Sequence, residues 1–323
     1  MGAAGVCAVG RGEVRGGGAD GPVRRTLWAM TTPAVLLPAD PLAPRRPDPH
    51  YGWEAQLVRD LGGACVLLDH DALLAGDAEA AVRRVPVGVG PLWYRGWMVP
   101  VPAYQELAQA LAARGGVLLT TPTGYGDAHE LPGWYGVFEG ATPESRWLPG
   151  AAVPSREELA ALAGRLGGRG PAVVKDYVKS RKYEWEEACF VPDLADTDRL
   201  CAVVSRFVEL QDGAPTGGIV LRRYEEFVRD ARGRAEESRV WWVDGEPVLR
   251  GAHPDAPPGP APHADLSVVG PLVHTLGCRF VTTDLARRAD GAGWRVVEVG
   301  DGQVSDLPRG ADAASLYAAL LAV

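Results

Sequence analysis

Lysine is nearly absent from this chain of 323 residues. It occurs only at Lys175, Lys179 and Lys182, and every other basic residue is arginine. A lysine-rich surface is excluded. The formal charge of −8 also argues against a large nonspecific nucleic-acid face, so no nucleic-acid partner is expected. Cysteine is sparse too. Cys7, Cys65, Cys189, Cys201 and Cys278 lie far apart and form no C-x-x-C pair. That excludes a disulfide framework or zinc site and fits reduced thiols in a cytoplasmic protein. No apolar run approaches ~18 residues, so neither a transmembrane helix nor a membrane partner is expected. The N-terminus lacks the apolar stretch of a secretory signal. No G-x-x-x-x-G-K-[ST] motif occurs, and no G-x-G-x-x-G follows a strand, which excludes a P-loop and a dinucleotide fingerprint. No Ser-His or Cys-His arrangement suggests a side-chain nucleophile. What is present is globular: 46% hydrophobic and 23% charged residues, long enough for two or three domains.

Residues 1–29 are Gly- and Arg-rich without periodicity and read as a disordered extension. Over 30–150, apolar runs at Ala34–Pro38, Ala64–Asp69, Pro91–Met98 and Val117–Thr120 alternate with helical patterns at Trp53–Leu61, Asp71–Arg84 and Ala103–Arg114. This predicts an α/β domain with a largely parallel sheet. The Pro-rich stretch Ala39–Pro49 reads as a loop. Arg95, in the run YRGWM, either holds an anionic group or packs on Trp93 or Trp97. His129 reads as a surface or capping histidine. Ser155 and Glu158 form a capping box for a helix to Leu166, and Gly167–Gly170 then breaks the chain.

The lysines follow. Lys175 ends an apolar strand, and Lys179-Ser180-Arg181-Lys182 forms a cationic turn suited to phosphate. The strand Gly218–Arg222 runs into Tyr224-Glu225-Glu226, an acidic, aromatic exit. The segment 236–251 is a hairpin turning at Asp244-Gly245. A two-residue turn there puts Arg239 opposite Arg250, a pairing that makes sense if both donate to one anion. In a last hairpin, Phe280–Gln303, a three-residue turn at Asp290-Gly291-Ala292 sets Asp284 opposite Glu298, with Asp301 just beyond. Two carboxylates ~5 Å apart across strands call for a cation between them, such as Mg²⁺. The plainer alternative is an exposed hairpin with scattered acids.

The runs VVKDYVKSRKYEW, ESRVWWVDGEPV, FVTTDL and VVEVGDGQVSDLP resemble the ATP-grasp superfamily of carboxylate–amine ligases. They are most similar to a subgroup of actinobacterial and phage proteins named for two arginines and a lysine. YRGWM and LPGWY resemble the region preceding the grasp domain in that subgroup. The resemblance implies an α/β N-terminal domain followed by an α+β ATP-grasp fold at 151–323. Its two lobes, about 151–217 and 218–323, would clamp ATP between antiparallel sheets. It further implies ATP and Mg²⁺ as cofactors. Lys175 would lie on the phosphates and adenine side, with Lys179 or Lys182 in a closing loop. Tyr224, Glu225 and Glu226 would lie near the adenine and ribose. Arg239, with Lys182 and Arg250, would act on the transferring phosphate. Asp284 and Glu298 would bind metal, helped by Asp301. The chain departs from the common Glu-x-Asn pattern, because Gly300 stands where asparagine would, and Asp301 or Gln303 is the expected substitute. The implied reaction joins a small-molecule carboxylate to an amine, amino acid or peptide, through an acyl phosphate, with ADP and phosphate as products. The alternatives are modification of RNA or protein with the same ATP site, and nucleotide binding without turnover.

Overall fold

The computed structural model describes residues 32–211, 215–230, 233–254, 262–308 and 311–323. The extension expected over 1–29 lies outside the described residues.

The N-terminal sheet has five strands: β1 (Ala34–Asp40), β2 (Ala43–Pro47), β3 (Cys65–Leu68), β4 (Gly90–Tyr94) and β5 (Gly116–Leu118). β3, β1, β4 and β5 pair in parallel, as the alternating pattern predicts. β2 departs from the expected loop. Asp40 accepts from the Leu42 amide at 2.8 Å, and the chain folds back along the end of β1. Proline is tolerated there because β2 is an edge strand.

The next sheet holds β6 (Ser145–Pro149), β7 (Ala172–Lys175), β8 (Phe190–Val191) and β9 (Gly218–Arg223), in the order β6-β9-β7-β8 and antiparallel throughout. Helices Arg156–Arg165 and Thr197–Glu209 supply Leu159, Leu162, Val203 and Phe207 to its core. The capping box closes with both of its hydrogen bonds. The lobe boundaries therefore move. Both β6, before 151, and β9, after 217, belong to the first lobe's sheet.

The second lobe's sheet comprises β10 (Glu237–Val243), β11 (Glu246–Ala252), β12 (Phe280–Arg287) and β13 (Trp294–Asp301), in the order β11-β10-β12-β13. Its two faces have separate duties, since alternate residues point to opposite sides. Val240, Trp242, Val281 and Leu285 face a core shared with Leu131, Trp134 and Phe138. Two helices form in a stretch expected to belong to the N-terminal domain: Leu131–Phe138 packs on the grasp sheet, and Pro122–His129 bridges, with Ala128 in this core and Tyr125 in that of the N-terminal sheet. The other face starts apolar. Trp241, Val243 and Phe280 meet Val35, Leu37 and Trp93 of the N-terminal sheet, and Leu316, Tyr317 and Leu320 of the helix Ala314–Leu321. Further along, that face turns polar.

A buried ion pair lies near this junction. Arg95 and Glu54 are each only 1% exposed. Arg95 donates through Nε at 2.7 Å and Nη2 at 3.1 Å to the Glu54 carboxylate, and through Nη1 to the Gln303 carbonyl. Its guanidinium lies over Tyr51, and Tyr317 also donates to Glu54. Arg95 is therefore neither an anion site nor stacked on Trp93 or Trp97. Removing one partner of such a pair strands a buried charge. We expect Glu54→Gln to cost about 3–5 kcal/mol, read as a lower thermal midpoint.

Candidate active site

Two β-bulges decide which side chains share the polar face. In the last hairpin, the Arg288 amide donates to the Gly293 carbonyl, so the turn is wider than three residues. Near the turn, Leu285 pairs with Val296. A bulge at Val297 then shifts the register, and Asp284 pairs with Glu298. Without that extra residue, Glu298 would face the apolar core. The expected pairing holds by a different route. In the other hairpin the bulge has the opposite effect. Arg239 pairs with Gly251, while Arg250 pairs with Val240. Arg250 points to the opposite face, is exposed, and drops out of the site.

Arg239 instead pairs across to Asp284 on β12, and grips that carboxylate through Nε and Nη2 at 2.7 Å each. Lys175, 3% exposed at the end of β7, reaches from the first lobe to Glu298 Oε1 at 3.3 Å. Each member of the carboxylate pair thus has its own cation. Burial works against the charged form of Asp284, but Arg239 beside it, with His253 and Lys182, holds it below the usual carboxylate range. Lys182 also acts on Glu237, which burial and Asp284 push up to about 7. Lys179 is exposed, and its turn is pinned by the buried Asp176 carboxylate, which accepts from the Val178 and Thr216 amides at 2.7 and 3.1 Å.

Asp301 is placed elsewhere. It is the last residue of β13, opposite Val281, and so turns away from Asp284 and Glu298. Fully buried, it accepts from the Gln303 amide at 2.8 Å and sits 3.7 Å from Cys278 Sγ. Gln303 spends its side chain on the Tyr94 amide and Tyr104 hydroxyl. Neither replaces the ligand missing at Gly300. Burial pushes the Asp301 carboxyl up to about 7. A folded-state value above the unfolded one means that the folded protein holds a proton the unfolded chain has lost. Its contribution to stability must then fall as pH rises from the ordinary carboxylate range to about 7. We expect Asp301→Asn to flatten that slope in thermal melts from about pH 5 to pH 8.

Within the acidic exit, Glu225 is likewise committed. Glu225 receives Arg295 at 2.6 and 2.9 Å. Tyr224 accepts from Arg229 and packs edge-on against Trp185 and Phe190, while Glu226 is exposed.

Four residues of the neighbourhood were not singled out for it by sequence. Glu237 precedes Arg239 by two on the same face, which strand alternation signals. His253 sits just past β11, at the head of the Pro-rich run His253–His263, whose two histidines, ten apart, read from sequence as poor metal ligands. Arg222 is buried, donates to the Val297 carbonyl and Thr142 hydroxyl, and lies over Trp134. His129 is buried and stacked on Tyr125, and is held down to about 4 by burial, with Lys175 and Lys179 adding to it. It stands in the last turn of the helix Pro122–His129 but is buried, so of the surface or capping roles expected the surface one is excluded.

An α/β domain followed by two antiparallel lobes, with a strand-end lysine reaching an acidic hairpin across them, is the ATP-grasp fold. Residues 165–320 match a family model described as an ATP-grasp domain, family 3 of its clade. Among solved structures, the RimK domain protein ATP-grasp from Sphaerobacter thermophilus is similar with a TM-score of 0.57 at 16% identity, over 89% of this chain and 99% of that one. D-cycloserine synthetase DcsG gives 0.56 at 15%, over 88% and 98%. The macrocyclase MdnC from Microcystis aeruginosa MRC, bound with precursor peptide MdnA, gives 0.52 at 13%, over 90% and 99%. No curated protein matches the sequence. Among the described residues, no helix is long and apolar enough to cross a membrane.

Proposed function

We propose that this protein is an ATP- and Mg²⁺-dependent ligase that activates a carboxylate as an acyl phosphate and joins it to an amine, releasing ADP and phosphate. The observation that carries the reading is the meeting of Lys175 with Glu298, beside the Arg239–Asp284 pair. The fold's likeness to ligases supports it, including PsnB, solved with minimal precursor, Mg and ADP.

A carboxylate acylates poorly until its oxygen carries a good leaving group. Phosphoryl transfer asks the protein to position reactants and offset charge, not to supply a nucleophile. Lys175, fixed on a strand, presents a compact ammonium to phosphate oxygens. Arg239 offers a planar guanidinium to the charge that develops on the transferring group. Lys179 and Lys182 add cations on the turn that follows β7. Asp284 and Glu298 are hard oxygen donors on one face, which suits Mg²⁺ and leaves its remaining positions to phosphate and water. The ion, when bound, would neutralise phosphate charge.

The test is phosphate release from ATP over a matrix of carboxylates and amines, including amino acids and peptides. Release that needs both partners is expected. ATP binding without release from any pair would favour a nucleotide-binding module instead.

A further inference from the structure

We propose that Glu237, His253 and Asp284 form a cation site of mixed oxygen and nitrogen donors that takes Mn²⁺, adjoining the Asp284–Glu298 pair. This rests on the ligase reading only for the identity of the neighbouring pair. The donor atoms of the three residues all lie within 4.8 Å of one another. His253 Nε2 is 3.7 Å from Asp284 Oδ2.

The sheet itself fixes this arrangement. β11, β10 and β12 are adjacent, and the register ends with Ser238 opposite Ala252. One step further sets Glu237 beside His253. On the other flank of β10, Arg239 pairs with Asp284. Three neighbouring strands thus deliver one donor each to one corner of the polar face.

The site also meets a need. A divalent ion held by Asp284 and Glu298 has two protein ligands, and the next position of β13 on that face is Gly300, which has no side chain. Asp301 and Gln303 turn elsewhere. Glu237 and His253 add donors to Asp284 from its other flank, where β10 and β11 lie. Arg239 takes one lone-pair direction of each Asp284 oxygen, and each oxygen retains another. Two carboxylates would suit Mg²⁺ or Mn²⁺ alike, but imidazole favours the first-row transition metals.

The experiment uses the full chain without nucleotide. Mn²⁺ is titrated in, and the bound ion is examined by pulsed electron paramagnetic resonance for coupling to imidazole nitrogen. We expect nitrogen coupling in the wild type and in Glu298→Gln. His253→Ala should lose the coupling and bind Mn²⁺ at least about 10-fold more weakly, since losing even a group that only orients a ligand costs about 10- to 100-fold. His253→Asn, which keeps polarity and bulk, should lose the coupling as well, and a thermal melt identifies any variant that fails to fold. Absence of Mn²⁺ binding in the wild type, bound Mn²⁺ without nitrogen coupling, or coupling that survives in a folded His253 variant would each overturn the proposal. Because no turnover is measured, failure of the ligase reading would appear separately, in phosphate release.

Discussion

Asp284→Asn should reduce phosphate release from ATP by about a thousand-fold, the several kcal/mol of charge stabilisation that a positioned metal ion supplies. The substitution keeps shape and one acceptor oxygen but removes the charge. Asp284 is the point where the site's parts meet, since it accepts from two of the three Arg239 nitrogens and lies beside His253 and Glu298. The neutral amide cannot hold a hard cation as a carboxylate does, and it leaves Arg239 without its counter-charge. Circular dichroism of the variant should match the wild type. Turnover at the wild-type rate by the folded variant would refute the role given to Asp284.

Lys175→Met should raise the dissociation constant for ATP by about 10- to 100-fold, the worth of one buried charge-assisted contact. Methionine retains the length of the stem and loses only the ammonium. Lys175→Arg should not restore binding, because a guanidinium is broader and donates as a fork in a space where Lys175 is almost fully enclosed. A second readout needs no nucleotide. Lys175 is one of the charges that hold His129 low, so the imidazole of Lys175→Met should titrate at higher pH in nuclear magnetic resonance spectra. Unchanged ATP affinity would remove Lys175 from the nucleotide site.

Local periodicity made much of this architecture readable. The βα alternation of the N-terminal half, the capping box at Ser155 and the Asp-Gly turn are short-range signals that the fold follows, except that the helix expected over Asp71–Arg84 is two short ones, His70–Leu74 and Ala78–Ala81. Errors arose where one residue shifts a register. Arg239 and Arg250 look paired until the bulge beside Trp241 separates them onto two faces, whereas the bulge at Val297 brings Asp284 and Glu298 together despite a different turn. A bulge has no strong local signature, but it reverses every side chain beyond it. Asp301 failed by the same parity. Tertiary context hid the rest. Nothing near Arg95 in sequence announces Glu54 as its partner, and the aromatic helices at 122–138 show no sign that they cover the second lobe's sheet. His253 became a candidate only because sheet order sets it beside Glu237.

The most direct test of the central claim is a crystal structure with Mg²⁺ and a non-hydrolysable ATP analogue. The account predicts triphosphate between the lobes, with Lys175 Nζ moved from Glu298 onto phosphate oxygen and the metal on Asp284 and Glu298. Nucleotide bound elsewhere, or Lys175 still paired to Glu298 with no metal on either carboxylate, would contradict it.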